Sequence, residues 1–340
     1  MGINVLSLFD GISCGQIALN RAGIRVDKYF ASEIDKNAIR VTQHNFPNTS
    51  QIGDVLDVRG TDLPQIDLLM GGSPCQGFSF SANKAQTNSK EDSEAEKLPP
   101  LPPRLNLDDP RSKLFFEFVR LLKETKPKYF LFENVKMKRE FQDIISDQLG
   151  VEPQKIDSKN FSVQSRQRLY WTNIPFDKEG IDTDREGILL RDIMDPYYGE
   201  ETMAGEEVLK KLIPLLKSSM YEFRYGKLDD KGKDNSFKWR RDTQGRILVM
   251  RPDKLKIQRI GRIGEGRHKS EIITVSSHPH VFDGKDIRKV NPLEAERLQT
   301  VPDNYTKVEG ITSGMRYKMI GNGWTVDVVS HIFEGLKNNK

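Results

Sequence analysis

Cysteine is almost absent from this sequence. Two occur in 340 residues, Cys14 and Cys75, too few for a disulfide framework or a four-cysteine zinc site. A reducing, cytoplasmic setting is therefore expected, and no metal is. No apolar run approaches the roughly 20 residues that span a bilayer, so no membrane partner is expected. The start, "MGINVLSLFDG", has neither the charged region nor the cleavage site of a signal peptide. Leu6 breaks the myristoylation pattern. Net charge is only +4, and no internal repeat is visible. The loop "FDGISCG" lacks the Gly-x-Gly-x-x-Gly spacing of dinucleotide binders, which disfavours a nicotinamide cofactor.

What is present suits a globular α/β protein. Hydrophobic residues make up 36% and charged residues 30%, and the length allows one large domain or two moderate ones. The first third alternates between two periodicities. "INVLSLF", "KYFASEI", "IDLLMGG" and "YFLFENV" read as apolar strands; "GQIALNRAG", "DKNAIRVTQHNF" and "SKLFFEFVRLLKETKP" read as helices. This alternation predicts a parallel, doubly wound sheet with helices on both faces. Ligands in such folds sit at the carboxyl ends of the strands. Residues 84–111 are polar, charged and then proline-rich, and are expected to form a long mobile loop, a candidate lid. Beyond Pro175 the alternation fades into short strand-like pieces such as "RILVM" and "EIITVSS", which suggests a smaller second domain. Order returns at "NPLEAERLQTVP", where Asn291, Pro292 and Glu294 are placed for an N-cap, first turn and capping box. "GWTVDVVSHIFEGLK" reads as a final amphipathic helix.

Charge is unevenly spread. Residues 236–270 hold eleven Lys or Arg against three Asp or Glu, an excess that suggests a polyanion partner. Gly11 and Gly15 flank the first strand-to-helix turn, where glycine permits close approach of a ligand. Glu33 ends the second strand, placed to accept from ribose hydroxyls. Asp54 lies near the end of the expected third strand, in reach of an adenine amino group. A single acid in a loop is usually just solvated; three features at one sheet edge say more.

Cys75 stands in "GGSPCQGFSF". Most free cysteines are inert buried hydrophobes. Here glycines precede it, Pro74 stiffens the turn, and a strand has just ended. A thiol with a pKa of roughly 8.5 needs cationic neighbours to ionise at neutral pH. Arg166 and Arg168 offer them, two residues apart on an expected strand and so on one face. Glu133 closes a very apolar strand, where a carboxylic acid can have a raised pKa and donate a proton. Cys14, inside the glycine turn, has no assigned chemistry.

Taken in order, "FDGISCG", "SEID", "GDV", "GGSPCQGFS", "FENV", "QSRQR", "NPLEAERLQTVP" and "MIGNGWTV" resemble the motifs of DNA cytosine-5 methyltransferases of bacterial and phage type. The start and end are also similar to the animal de novo branch. The resemblance implies a Rossmann-like S-adenosylmethionine-dependent catalytic domain, 1–175 with 288–340, and a smaller, mostly irregular and β target-recognition domain, 176–287. It implies Cys75 as the nucleophile toward carbon 6 of cytosine, Glu133 as the group at ring nitrogen 3, and Arg166 and Arg168 as holders of the flipped base and nearby phosphates. S-adenosyl-L-methionine is the implied cofactor, held by Phe9, Asp10, Gly11, Gly15, Glu33, Ile34, Asp54, Val55, Pro74, Asn322 and Trp324. Double-stranded DNA is the implied partner, contacted by Gln76, Ser79, Arg240, Arg241, Arg259, Arg262 and Arg267. A cognate restriction endonuclease is a further candidate partner, and a monomer is expected. Two rival readings share the fold: a transfer-RNA cytosine methyltransferase, whose "CFT" signature is missing here, and a catalytically inactive DNA-binding regulator, which needs none of Cys75, Glu133 and Arg168.

Overall fold

The computed structural model describes residues 2–73, 110–178, 181, 193, 222–225, 237–241, 247–250, 257–259, 280–282 and 287–337. For 110–112 and for the strands between 222 and 289 only the course of the backbone is described. The helices are α1 (Cys14–Arg21), α2 (Lys36–Asn45), α3 (Pro110–Thr125), α4 (Arg139–Leu149), α5 (Pro292–Leu298), α6 (Ser313–Asn322) and α7 (Val326–Glu334). None among the described residues is long and apolar enough to cross a membrane. Two compact units are present. The first comprises Met1–Asp157, Gln167–Asp182 and Val326–Lys340; the second comprises Ser158–Arg166 and Thr183–Thr325.

Seven strands build the first unit: β1 (Ile3–Leu8), β2 (Val26–Ser32), β3 (Ser50–Gln51), β4 (Leu68–Gly71), β5 (Tyr129–Val135), β6 (Gln154–Asp157) and β7 (Gln167–Thr172). Their spatial order is β3-β2-β1-β4-β5-β7-β6. The expected parallel pairing holds from β3 through β5. At the far side β7 runs antiparallel to both β5 and β6. Strand order reverses between β1 and β4, the switch point at whose carboxyl side ligands bind in such sheets. Leu68, Leu69 and Met70 are all buried, as a strand covered on both faces requires. Gly71 ends β4 because a Cβ there would lie 2.9 Å from the Leu8 carbonyl oxygen.

The core under this edge is aromatic. Phe132 on β5 packs tilted against Phe115 and Phe118 of α3, at 5.2 and 5.0 Å between centroids, and against Trp171 of β7 at 5.9 Å. Such pairs contribute about 0.5–1.5 kcal/mol each beyond area burial. Asp35 caps α2 through the Asn37 N–H. Helix α7 returns to α1, with Asp327 paired to Arg21 at 2.5 Å.

Within the second unit, α5 opens on the expected capping box of Asn291 and Glu294. Val163, Ile193, Val290, Ala295, Leu298 and Ile320 share one apolar cluster. Strands β8 (Glu222–Tyr225), β9 (Phe237–Arg241), β10 (Ile247–Met250) and β11 (Ile257–Arg259) form an antiparallel sheet, and β12 (His280–Phe282) pairs with β13 (Ile287–Lys289). "RILVM" supplies β10. "EIITVSS" lies outside the described residues, as does 84–109 of the expected loop; its last residues, Pro110 and Arg111, already belong to α3.

Candidate active site

Where β1 ends, three residues of the next five take left-handed backbone: Phe9 at φ 55°, Gly11 at 58° and Ser13 at 57°. Two of them are not glycine, so neighbouring contacts must hold the turn. Asp10 supplies many of these. Its carboxylate accepts from the Ser13 hydroxyl and from the Tyr29 hydroxyl at 2.7 Å. Its own N–H donates to the Ser32 carbonyl at 3.2 Å, and its carbonyl accepts from the Ser13 N–H at 3.0 Å. Asp10 keeps partial surface exposure as a residue, but its carboxyl is densely surrounded by protein. Burial pushes the carboxyl up to about 6, against the opposing hydrogen bonds of Ser13, Ser7 and Tyr29; the charge of Glu33 adds a small upward push.

Glu33, just past β2, ties this turn to its neighbour. One carboxylate oxygen accepts from the Gly11 N–H at 2.8 Å; the other accepts from the Ile34 and Asp35 N–H groups at 2.7 and 2.8 Å. Beside it Ile34 is 70% exposed. Asp54 accepts from the Leu56 N–H at 3.1 Å, and Leu56 is 59% exposed. Asp54 does not end a strand as expected: β3 stops at Gln51, and Gly53 at φ 80° turns the chain first. Gly15 is buried in α1. Val55, expected to face a cofactor, sits at 4% exposure in the aromatic core cluster.

These residues fit S-adenosylmethionine. Glu33 spends three of roughly four acceptor positions on backbone donors, which fixes its direction and leaves capacity for a ribose hydroxyl. Ile34 and Leu56 expose apolar side chains beside the two acids, as an adenine face requires. A Cβ at Gly11 or Gly53 would meet nothing within 4 Å, so both turns border open space.

The second part of the edge lies past β4 and β5. Described chain continues to Ser73, which is buried and accepts from the Asn134 amide at 3.4 Å. Pro74, Cys75, Gln76 and Ser79 lie outside the described residues. Next to Asn134, Glu133 pairs with the Arg168 Nε at 3.0 Å, and both side chains are largely buried. Their partnership follows from the register, in which Val135 of β5 faces Arg168 of β7.

Arg166 departs from the sequence expectation. β7 begins at Gln167, so the two arginines do not share one strand. Arg166 is 5% exposed and donates through Nη2 to the carbonyls of Gly321 and Gly323, at 3.1 and 3.0 Å. Between those carbonyls stands Asn322, exposed at the end of α6, with half-buried Trp324 just beyond. Sequence reasoning missed the rest of this network. Gln299 donates to the carbonyls of Ile320 at 3.1 Å and Gly323 at 3.4 Å, and it accepts from Gln164 at 3.2 Å and Thr325 at 2.7 Å. The available signal was a glutamine among the apolar positions of "EAERLQTV".

Of the expected DNA contacts, Arg240 and Arg241 close β9 and Arg259 closes β11. Arg240 and Arg259 both register with Leu248 of β10, so they share one row across the sheet. Arg262 and Arg267 lie outside the described residues.

Known proteins match along the whole chain. The family model for C-5 cytosine-specific DNA methylase matches residues 3–338. The orphan methyltransferase M.SPRI of Bacillus phage SPR is 25% identical, over 98% of this chain and 97% of its own. The type II methyltransferase M1.ScrFI of Lactococcus lactis subsp. cremoris is 27% identical, over 98% of this chain and 77% of its own. Among solved structures, Entamoeba histolytica methyltransferase EhMeth aligns with TM-score 0.66 at 16% identity, covering 100% of this chain and 99% of its own. S. pombe Dnmt2 aligns with TM-score 0.62 at 17% identity, covering 99% of both chains; at such identity both likenesses concern the fold. A strand edge with a glycine turn and paired acids, a buried glutamate–arginine pair, and a family match from end to end all agree: the chain belongs to the C-5 cytosine-specific DNA methylase family.

Proposed function

We propose that the protein methylates carbon 5 of a flipped cytosine within a specific duplex DNA sequence, through a covalent bond to Cys75. The observation that carries this reading is the Glu133–Arg168 pair at the end of β5, beside the strand whose chain runs on toward Cys75. S-adenosylmethionine is the methyl donor of the family.

Carbon 5 of cytosine is a poor nucleophile, and a covalent adduct divides one hard step into easier ones. The target is stacked inside a duplex, so it must first be extruded, at a few kcal/mol. The Cys75 thiolate adds to carbon 6 while the Glu133 carboxyl engages ring nitrogen 3 and the amino group. Electron density gathers at carbon 5. The cofactor would supply the methyl group that carbon 5 takes, leaving as S-adenosylhomocysteine. The carbon 5 proton is lost to water, which expels Cys75 as thiolate and restores the aromatic ring. Arg168 holds Glu133 in direction and faces the extruded base. Phe9, Asp10, Gly11, Glu33, Ile34 and Asp54 hold the cofactor, together with Asn322 and Trp324; Pro74 shapes the nucleophile's loop. Gly15 and Val55 act one layer back, since both are buried in unit interiors.

Residues 176–287 serve as the target-recognition domain and the remainder as the catalytic domain. Arg240 and Arg259, in one sheet row, suit a phosphate backbone or guanine edges in the major groove. The protein works as a monomer in the cytoplasm. Relatives include proteins named as orphan and as type II methyltransferases, and a cognate restriction endonuclease is a candidate partner.

The test incubates protein and methyl-labelled S-adenosylmethionine with duplex DNA and, separately, with transfer RNA. Label in DNA is expected, and label in RNA alone, or in neither, refutes the proposal. Cys75→Ser is expected to abolish transfer while keeping DNA binding; substantial methylation by that variant names the wrong nucleophile. Bisulfite sequencing of a plasmid from expressing cells then reads out the target sequence.

A further inference from the structure

One nitrogen of the buried Arg166 guanidinium, Nη2, is given to backbone. Two carbonyls, one on each side of Asn322, receive its Nη2. Carbonyls at the end of a helix have no intrahelical donor, and leaving a buried one unpaired is costly. Gln299, fully buried, makes a second clamp on the same turn through Ile320 and Gly323. Thr325 and Gln164 fix Gln299 in turn. The result is an exposed asparagine held on a turn whose backbone is bound from the protein interior. At 5% exposure Arg166 presents little surface to a base or a phosphate, and its Nη2 serves two carbonyls of its own unit.

We propose that Arg166 is a positioning residue: it locks the Gly321–Gly323 turn so that Asn322 meets the cofactor, and it touches neither base nor phosphate. This rests on the reading of Asn322 as a cofactor contact. It departs from the symmetrical role in which both arginines of "QSRQR" hold the nucleotide. Arg168, paired with Glu133, keeps that role alone.

The experiment uses the full-length protein and three variants, Arg166→Lys, Asn322→Ala and their combination. Affinity for S-adenosylhomocysteine is measured by calorimetry. Affinity for a labelled duplex is measured by anisotropy across a salt series. Lysine keeps the charge but cannot span the two carbonyls in the fixed geometry of a guanidinium. Arg166→Lys is expected to weaken cofactor binding by about tenfold or more, with the salt slope of DNA binding unchanged. Asn322→Ala is expected to match it, and the double variant to lose little beyond either single one. A salt slope reduced by about one, as for a lost phosphate contact, with cofactor binding intact, overturns the inference. Full additivity in the double variant also overturns it. If Asn322→Ala leaves cofactor binding intact, the underlying reading of Asn322 fails and the inference falls with it. If Asn322→Ala weakens binding while Arg166→Lys does not, the inference fails alone. Should Arg166→Lys fold poorly, Thr325→Val removes the hydroxyl that steadies Gln299. A smaller loss of cofactor affinity at unchanged DNA affinity is then expected, and wild-type cofactor affinity overturns the inference.

Discussion

Replacing Asp10 by asparagine should raise stability at neutral pH, although the change removes a charged, hydrogen-bonded group. Burial raises its carboxyl from 3.8 to about 6. Folding therefore favours the protonated form. The stability tied to that form is complete below pH 3.8 and is lost as pH climbs through about 6. At about 1.36 kcal/mol per unit, the ionised carboxylate costs the native state up to about 3 kcal/mol. About 1.4 kcal/mol of that develops between pH 5 and pH 8. Asparagine has similar shape and stays neutral; its one carbonyl oxygen accepts from Ser13 or Tyr29, and the other hydroxyl turns to accept from its amide N–H. The assay is urea unfolding of both proteins without cofactor at pH 5 and pH 8. Other titrating groups largely cancel in the difference, with Glu33 the main coupled group. The stability of Asp10→Asn relative to wild type should improve by about 1.4 kcal/mol over that interval. A difference that stays flat with pH, or that shrinks toward pH 8, refutes the reasoning.

Three further outcomes are expected. Gly71→Ala should lose about 1–3 kcal/mol in urea unfolding, because its new methyl meets the Leu8 backbone, which cannot swing aside. Glu296→Gln should lose about 3–5 kcal/mol: the fully buried carboxylate pairs with Arg316 at 2.8 Å and accepts from the Asn304 and Thr306 N–H groups, both at 2.8 Å. Wild-type stability in that variant would mean the charge is not needed there. Glu133→Gln should slow single-turnover methyl transfer by about 100-fold or more while leaving duplex affinity near wild type, and an equal loss in both would assign Glu133 to binding.

Much of the first unit can be read directly from residues. Leu68, Leu69 and Met70 announce a strand covered on both faces, and Asp35 stands where a cap is found, as Asn291 does in the second unit. What stayed hidden depends on distance along the chain. Arg166 meets Gly321 across 155 positions, and Gln164 meets Gln299 across 135, so no local periodicity reports either contact. The reversed direction of β7 leaves no trace in its own residues, since strand apolarity is the same either way. Helix α4 was missed because "KMKREFQDIISDQLG" opens on charge and carries its apolar stripe late. Val55 misled for the opposite reason: an apolar residue next to Asp54 can face a ligand or the core, and only packing decides.

Helix α1 and helix α7 have a consequence during synthesis. Arg21 and its partner Asp327 are 306 residues apart, so the side of α1 that receives α7 emerges from the ribosome long before its cover. At about 5–20 residues per second, the wait is about 15–60 s. Any chain that terminates early never gains Val328, Val329, Ile332 and Phe333, all buried in the finished protein. Such a product would present sticky apolar surface to the cell's proteases, giving quality control a direct way to tell truncated enzyme from complete enzyme.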